Sequence, residues 1–351
     1  MRQALSFPPL ERKDKGPRLL LGLAVAVLLT LSASAQPGQR APNDAVAIEI
    51  LARPIAALLP SDPTRVRFGA LAFRGGIALT STYKEFGGVS AIRVAADGAH
   101  FLSVTDKGRW LRGRIIYEGT RPVGIADAEM APVLGTDGKP LAARGWYDTE
   151  SLALDGGTAF LGIERVNRIV RLDYAKSGLM ARAEPIATPP GIATLPNNKG
   201  LECLDFVPNG MPLSGTLIAV SERGLDPAGN LKGFLIGGED PGEFAVRRIG
   251  EFDISDCAVT PAGDLFLLER SFSRRAGVGM RIRRVPLTAI KPGALIDGPV
   301  LIEADMNYQI DNMEGLSVNR APDGSLVLTL ISDDNFSMIQ RTLLLQFTLA
   351  E

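Results

Sequence analysis

Acidic residues recur in pairs along this chain, one before an apolar run and the other just after the next apolar run. Five such pairs can be read, and the first has serine in its opening position: Ser90/Asp106, Glu150/Glu164, Glu202/Glu222, Asp256/Glu269 and Glu314/Asp333. Carboxylate oxygens from several segments are the ligands that Ca²⁺ prefers, and Ca²⁺ tolerates irregular geometry. The pairs therefore predict a site for a hard cation, provided that the fold brings them together.

Six carboxylates are the predicted metal ligands: Glu150, Glu202, Asp256, Glu314, Asp333 and Asp334. Basic residues accompany them, and Lys199, Arg223 and Arg270 are expected to position a phosphate group. A metal-bound water would be the nucleophile, because no side-chain nucleophile with a histidine base is available. The alternative is that the acids cap strand ends and pair with adjacent basic residues, as in Glu164-Arg165. Composition does not separate these two interpretations.

The composition excludes several other classes of chemistry. The chain has one histidine, His100, whereas hydrolases with a histidine base and most zinc sites need one or more well-placed imidazoles. A Gly-X-Ser-X-Gly elbow, a Walker loop and a Rossmann fingerprint are absent from the sequence. Lys and Arg (38) balance Asp and Glu (39), giving a net charge of -1, so no nucleic-acid partner is expected.

Each acidic pair frames two apolar strands joined by a Gly-containing turn, such as Asp97-Gly98 in the first unit. Antiparallel pairing places the opening and closing residues at the same end of a unit. The openings lie 52 to 60 residues apart, and further strand-like runs such as 168–172 and 343–347 add strands to the units. This repeat predicts an all-β fold, a β-propeller, with the acidic pairs around one mouth of its channel.

The sequence leaves the number of blades open between five and six. Five copies are legible, and a degenerate sixth could lie within 121–143. The segment 66–73 precedes the first full copy, and we expect it to pair with the C-terminal strands and close the ring.

The N-terminal segment predicts export. A basic stretch, an apolar run from Leu19 to Leu31 and the small residues Ala33-Ser34-Ala35 are typical of a signal peptide spanning residues 1–35. The apolar run is shorter than the roughly 20 residues that span a bilayer, so we expect no membrane span in the mature chain. We therefore predict a periplasmic or extracellular monomer, with a linker at 36–63 and the propeller domain at 64–351.

The two cysteines, Cys203 and Cys257, occupy equivalent positions of successive repeats. In an oxidising compartment they could form one disulfide. Strands of neighbouring blades are expected to lie too far apart for the roughly 7 Å limit on the distance between bridged Cα atoms. This argument favours two buried free thiols.

Several segments carry a resemblance to a known family: Asn198–Glu202, Leu267–Ser273, Gly279–Arg284, Asn312–Leu316 and Ser332–Phe336. Together they resemble the phytase-like exported bacterial proteins named for "esterase-like activity of phytase", over about residues 64–349. The resemblance implies a propeller-type domain with phosphoester or ester hydrolase activity, on phytate among other substrates. Ser90, Cys203 and Cys257 depart from the pattern of that family.

We therefore predict an exported, Ca²⁺-assisted phosphoesterase that acts on a small-molecule substrate at the channel mouth. A non-catalytic propeller that binds a ligand or an envelope protein is the competing hypothesis, because propellers host many unrelated functions. A metal-dependent lactonase or carboxylic-ester hydrolase would use the same residues and differ only in substrate.

Overall fold

The computed structural model describes residues 43–350, so the signal peptide predicted at 1–35 lies outside the described residues. Alternating and fully apolar runs, ended by Gly-containing turns, form 25 β-strands in five sheets. Within this part of the chain the helices are short: α1 Tyr174–Ser177, α2 Pro190–Ala193 and the 3₁₀ turns Leu141–Arg144, Glu164–Val166, Gly178–Met180 and Leu287–Ala289. No helix among residues 43–350 has the length and hydropathy needed to cross a membrane.

The strands follow one another around the ring. The first four are β1 Val46–Ala47, β2 Leu51–Ile55, β3 Arg67–Phe68 and β4 Leu71–Thr80. Blade 1 contains β5 Val89–Val94, β6 His100–Thr105, β7 Arg109–Glu118 and β8 Arg121–Pro132, with β1 on its outer edge. Blade 2 contains β9 Leu134–Gly135, β10 Thr149–Asp155, β11 Thr158–Ile163, β12 Arg168–Asp173 and β13 Arg182–Pro185.

The remaining strands complete three further blades. Blade 3 contains β14 Leu201–Phe206, β15 Thr216–Leu225, β16 Leu231–Gly237 and β17 Gly242–Val246. Blade 4 contains β18 Asp253–Val259, β19 Asp264–Ser273, β20 Gly277–Pro286 and β22 Val300–Ala304, while β21 Leu295–Ile296 joins the edge of blade 3. Blade 5 combines β23 Asn312–Arg320, β24 Leu326–Asp333 and β25 Thr342–Leu349 with β4 and β2.

The innermost strands of the five blades are β5, β10, β14, β18 and β23, and each contacts the innermost strands of the two neighbouring blades. These contacts form a closed cycle, so the fold is an all-β, five-bladed propeller. Residues 121–143, where a sixth blade was considered, instead form β8 of blade 1 and the edge of blade 2.

Blade 5 closes the ring, because its strands come from both ends of the described chain. The C-terminal strand β25 pairs with β4 along its whole length, from Thr342 opposite Leu79 to Leu349 opposite Leu71. The predicted pairing of 66–73 with the C-terminal strands is therefore confirmed in its C-terminal half. Closure of this kind removes two free sheet edges.

The apolar core lies between the blades. Five separate clusters of buried side chains each fill one interface between neighbouring blades. Trp110, for example, is fully buried between blades 1 and 2. Each blade therefore holds its neighbours in register and fixes the positions of the innermost strands.

Two predictions are wrong at the level of local structure. The segment 36–63 is not only a linker, because β1 pairs with β8 and β2 pairs with β4, and Ile50, Ile55 and Leu58 are buried. Cys203 and Cys257 are not free thiols but form a disulfide between β14 and β18, with their Cα atoms 5.0 Å apart. The expectation failed because innermost strands converge near the axis, where the spacing between blades is smallest.

Candidate metal centre

Every innermost strand carries a β-bulge at the same place. The bulged residues are Ser90, Glu150, Glu202, Ser255 and Glu314, here called the bulge ring. A bulge leaves one residue unpaired and re-aims its side chain. Charge from Glu150 acts on Glu202, and charge from Glu314 acts on Glu150, so these side chains approach one another across the channel.

A second ring follows from the strands that pair with the innermost ones. In each blade, the residue just before the bulge pairs with a residue of the second strand. The residue that follows this partner in the chain belongs to the closing ring, which consists of Asp106, Glu164, Glu222, Arg270 and Asp333. The two rings together bring seven carboxylates to one mouth of the channel. The predicted convergence of acidic pairs is therefore present in the structure in four of the five blades.

Blade 4 departs from the sequence prediction by one residue. Its bulge is at Ser255 rather than Asp256, and its closing residue is Arg270 rather than Glu269. A shift of one residue along a strand moves a side chain to the other face. Asp256 and Glu269 are therefore directed away from the mouth, and blade 4 contributes a hydroxyl and a cation instead of two carboxylates.

Asp256, a predicted metal ligand, is fully buried in an ion pair with Arg93 of blade 1. The Arg93 guanidinium donates to both Asp256 oxygens, at 2.9 and 3.1 Å. It also donates to four backbone carbonyls, which lie in blades 1, 3, 4 and 5: Ile92, Leu204, Cys257 and Leu316. Burial raises the pKa of Asp256 to about 6 although Arg93 opposes the shift. Asp256 has a complete set of partners and is not available as a metal ligand.

Glu269 is likewise neutralised inside blade 4. Its carboxylate accepts hydrogen bonds from Arg281 at 2.6 Å and from Arg283 at 3.0 Å, and it is fully buried. It has no part in the mouth.

The tightest group of carboxylates lies between blades 2 and 3. Glu164, Glu202 and Glu222 each offer an oxygen atom, and these atoms all lie within 4.8 Å of one another. The Oε2 atom of Glu202 is buried and has no hydrogen-bond partner among the described residues. An unpaired buried carboxylate oxygen is costly unless a proton or a cation compensates it.

The pKa values show how crowded the negative charge is. Burial, followed by the charges of neighbouring carboxylates, raises the pKa of Glu150 and Glu202 well above the ordinary value. Burial likewise raises the pKa of Glu314 to about 8 and that of Glu164 to about 7. Asp106 and Asp333 are shifted the same way by burial, with pKa values of about 7 and about 6. Near neutral pH these carboxyl groups are therefore partly protonated unless a cation compensates their charge.

The three predicted phosphate-binding residues are already engaged. Lys199 lies 2.7 Å from both oxygens of Glu222, and Arg223 pairs with Asp253 of blade 4. Arg270 donates to Asn312 at 2.9 Å and to Glu222 at 3.2 Å. Burial alone would lower the pKa of Arg270, but the charges of Glu314, Glu202 and Glu222 raise it. These cations hold the carboxylates in position.

Asp333 and Asp334, the last two predicted ligands, differ from each other. Asp333 is in the closing ring, where its charge raises the pKa of Glu314. Asp334 braces a loop, because its Oδ1 accepts from the backbone of Gly88 and Phe336, both at 3.0 Å, and its Oδ2 accepts from Thr342. Asp334 therefore lies beside the site without joining it.

Sequence reasoning placed Asp106, Glu164 and Glu222 on the rim but did not choose them as ligands. The signal that identifies them is their position directly after the second strand of each hairpin. Glu164 Oε1 accepts from the backbone of Gly200 at 2.7 Å, which fixes its carboxylate across the boundary between blades 2 and 3.

The donor set at the mouth fits a hard cation. Its atoms are carboxylate oxygens from several blades, and two of them, Glu202 Oε2 and Asp106 Oδ1, are buried without a hydrogen-bond partner among the described residues. Ca²⁺ prefers six to eight such oxygens. Among the described residues no histidine or thiol joins the cluster, because His100 pairs with Asp97 and the cysteines are bridged. The residues therefore favour Ca²⁺ over a transition metal.

The solved structures to which this chain is similar are distant from it. Glutaminyl cyclase of Myxococcus xanthus is 9% identical to this chain, with a TM-score of 0.39. The match covers 76% of this chain and 92% of the cyclase chain. A chain of the nidogen/laminin complex is 12% identical over 75% of this chain and 87% of its own, with a TM-score of 0.38. The protein U3-55K is 12% identical to this chain over 75% of this chain and 96% of its own, with a TM-score of 0.34.

Family membership comes from sequence. No curated protein matches the chain at a significant level. The model of the phytase-like family matches residues 84–336, which include both rings and all five bulges. The chain therefore belongs to the phytase-like family, described as "esterase-like activity of phytase".

Proposed function

We propose that the protein is an exported, Ca²⁺-dependent phosphoesterase whose active site is the channel mouth. Glu164, Glu202 and Glu222 would hold the ion, with Glu150 next to Glu202. The observation that carries this proposal is the unpartnered, buried Oε2 of Glu202 within a group of three carboxylates from two blades. Membership of a phytase-like family supports a hydrolase.

A bound Ca²⁺ would supply Lewis-acid activation of the phosphoryl oxygen and of the attacking water. The chain supplies the geometry. Lys199 fixes Glu222, and the backbone of Gly200 fixes Glu164, so two ligands keep their positions when no ion is present. Arg270 lies between Glu222 and Glu314 and reduces the repulsion between them.

The convergence of carboxylates also bears on the alternatives. A propeller that binds an ion without catalysis would show the same acids with raised pKa values, so the assay of phosphate release distinguishes it from a phosphoesterase. A carboxylic-ester hydrolase or lactonase would use the same ion, so substrate assays distinguish it. The disulfide Cys203–Cys257 supports the proposal of export, since disulfides persist in oxidising compartments.

The test is phosphate release from phytate and from 4-nitrophenyl phosphate, with Ca²⁺ and with a chelator. We expect release only with Ca²⁺, and a decrease of at least about tenfold for Glu202→Gln, as for other changes at metal sites. Glu184→Gln is the matched control, because Glu184 is an exposed carboxylate of blade 2 that pairs with Arg171. If folded protein releases no phosphate in any condition, the proposal is wrong. Hydrolysis of 4-nitrophenyl acetate or a lactone alone would establish the ester alternative.

A further inference from the structure

The segment Trp146–Asp148 lies against the closing ring on the side of blade 2. The backbone N–H of Asp148 donates to the carbonyl of Asp106 at 2.6 Å, and the carbonyl of Asp148 accepts from the N–H of Glu164 at 2.8 Å. Asp148 has a φ of 58°, which lets the chain turn between these two contacts. Trp146 and Tyr147 are therefore held directly beside two carboxylates of the mouth.

Arginines lie over both aromatic rings within cation–π distance. The guanidinium carbon of Arg165 lies 5.1 Å from the centroid of Tyr147, and that of Arg168 lies 5.8 Å from the centroid of Trp146. Arg144 is 5.9 Å from the Trp146 centroid and pairs with Asp137. A cation–π contact uses the charge of a guanidinium without using its N–H groups as hydrogen-bond donors, so these remain available to a phosphate.

Arg165 and Arg168 differ from the other cations named so far. Neither side chain makes an ion pair or a hydrogen bond within residues 43–350, and both residues are exposed. The Asp148 carboxylate lies near Arg165, which lowers its pKa against the effect of burial, but the two do not form an ion pair. Lys199, Arg223 and Arg270, by contrast, are each paired with a carboxylate.

Arg165 lies over Tyr147, and the next residue, Asp148, is hydrogen-bonded to the backbone of Asp106 and Glu164, so an anion held by the Arg165 guanidinium lies at the edge of the mouth. Trp146 and Tyr147 are both only half-buried, so part of each ring is open to an aromatic group. An anionic group and a planar group on one molecule would use both features at once.

We infer that Trp146, Tyr147, Arg165 and Arg168 form a binding subsite for phosphomonoesters of aromatic alcohols. The phosphate is bound by the N–H groups of Arg165, and the aromatic group packs against the exposed part of Trp146, beside Arg168. The choice of phosphate as the anion rests on the proposed function, whereas the aromatic preference rests on the two half-buried rings and the arginines beside them.

Trp146 itself reports on binding. The only other tryptophan, Trp110, is fully buried between blades 1 and 2 and is out of reach of a ligand. Phenyl phosphate is titrated into the full mature protein in a chelating buffer, with excitation selective for tryptophan. We expect saturable quenching, and an affinity about threefold or more weaker for cyclohexyl phosphate, which lacks the π-face.

Arg165→Gln should weaken phenyl phosphate binding about tenfold, the loss expected for one charge-assisted hydrogen bond. Arg171→Gln is the control, since Arg171 is an exposed arginine of the same blade that is paired with Glu184. It should leave the titration unchanged. Equal affinities for Arg165→Gln and wild type, or for phenyl and cyclohexyl phosphate, would overturn the inference.

The titration needs neither metal nor turnover, so its failure is distinguishable from that of the proposed function. Quenching without Ca²⁺-dependent phosphate release would support the subsite and contradict the proposed phosphoesterase activity. Phosphate release without quenching would support the phosphoesterase activity and contradict the subsite.

Discussion

Two groups of buried charge lie in the same channel and differ in how they are compensated. Arg93 and Asp256 satisfy each other and four backbone carbonyls, and they link four of the five blades. At the mouth, Glu202 has an oxygen without a partner, and seven carboxylates share Arg270 and Lys199. The charge of the first group is compensated within the protein, and the one Arg93 nitrogen that lacks a hydrogen bond among the described residues, Nε, lies 3.8 Å from Asp205. The charge of the second group is compensated only in part. A buried charge that folding leaves uncompensated indicates a ligand site better than acidity does.

The strongest test of this difference is pH in the absence of divalent cations. Glu164 and Glu314 have ordinary pKa values near 4.5 that burial raises to about 7 and about 8 in the fold. The folded state therefore binds more protons than the unfolded state between about pH 4.5 and pH 8, and stability falls as pH rises through that window. Because several carboxylates act together, we expect this change to exceed that of any single substitution.

The measurement is urea unfolding at pH 5, 6, 7 and 8, with Ca²⁺ and with a chelator. Asp256, whose pKa is also raised, contributes equally in both series, so the difference between them reports the mouth. Ca²⁺ should restore stability at pH 7 and 8 and have little effect at pH 5. Superimposable series would show that the mouth holds no cation.

The next largest effect is expected from Arg93→Met. It leaves Asp256 as an unpaired buried carboxylate, and removing one partner of a buried ion pair costs about 3–5 kcal/mol. Because this pair is independent of the metal, the loss in the free energy of unfolding should be the same with and without Ca²⁺. Arg114→Met, which breaks an exposed pair with Asp127, is the control and should cost less than about 1 kcal/mol. A loss at Arg93 that Ca²⁺ reverses would contradict the separation of the two groups.

The sequence contains enough information for the blades but not for the register within blade 4. Alternation and turns identify strands, and every blade shows an acid or serine near its opening. In blade 4, however, Ser255 precedes Asp256 and Glu269 precedes Arg270, so either residue of each pair could open or close the hairpin. Only the bulge decides which one faces the channel, and the sequence does not mark a bulge with any particular residue.

The disulfide and the N-terminal strands were mispredicted for a related reason. The distance between Cys203 and Cys257 depends on how closely innermost strands approach the axis, which is a property of the closed ring. Strands β1 and β2 are short and lie at sheet edges, and their pairing partners are distant in sequence. Distances and pairings between segments that are far apart in the chain leave no pattern in the local sequence.

The smallest effect, and the one that resolves positions within the mouth, compares Glu202→Gln with Glu314→Gln. Glu202 belongs to the tight group with Glu164 and Glu222 and has an unpartnered oxygen, whereas Glu314 accepts from Asn312 at 2.7 Å and lies 3.5 Å from Arg270. An ion at 100 times its dissociation constant stabilises the fold by about 2.7 kcal/mol. Glu202→Gln should abolish most of that gain, and Glu314→Gln a smaller part, because its charge is already partly compensated by Arg270.

Without Ca²⁺ neither change should destabilise the fold, since each removes one charge from a repelling group. Thermal melts of wild type and both variants across a Ca²⁺ titration measure these differences. If Glu314→Gln loses more of the Ca²⁺-dependent stabilisation than Glu202→Gln, the ion lies closer to blade 5 than proposed. If none of the three melting temperatures depends on Ca²⁺, the mouth binds no Ca²⁺.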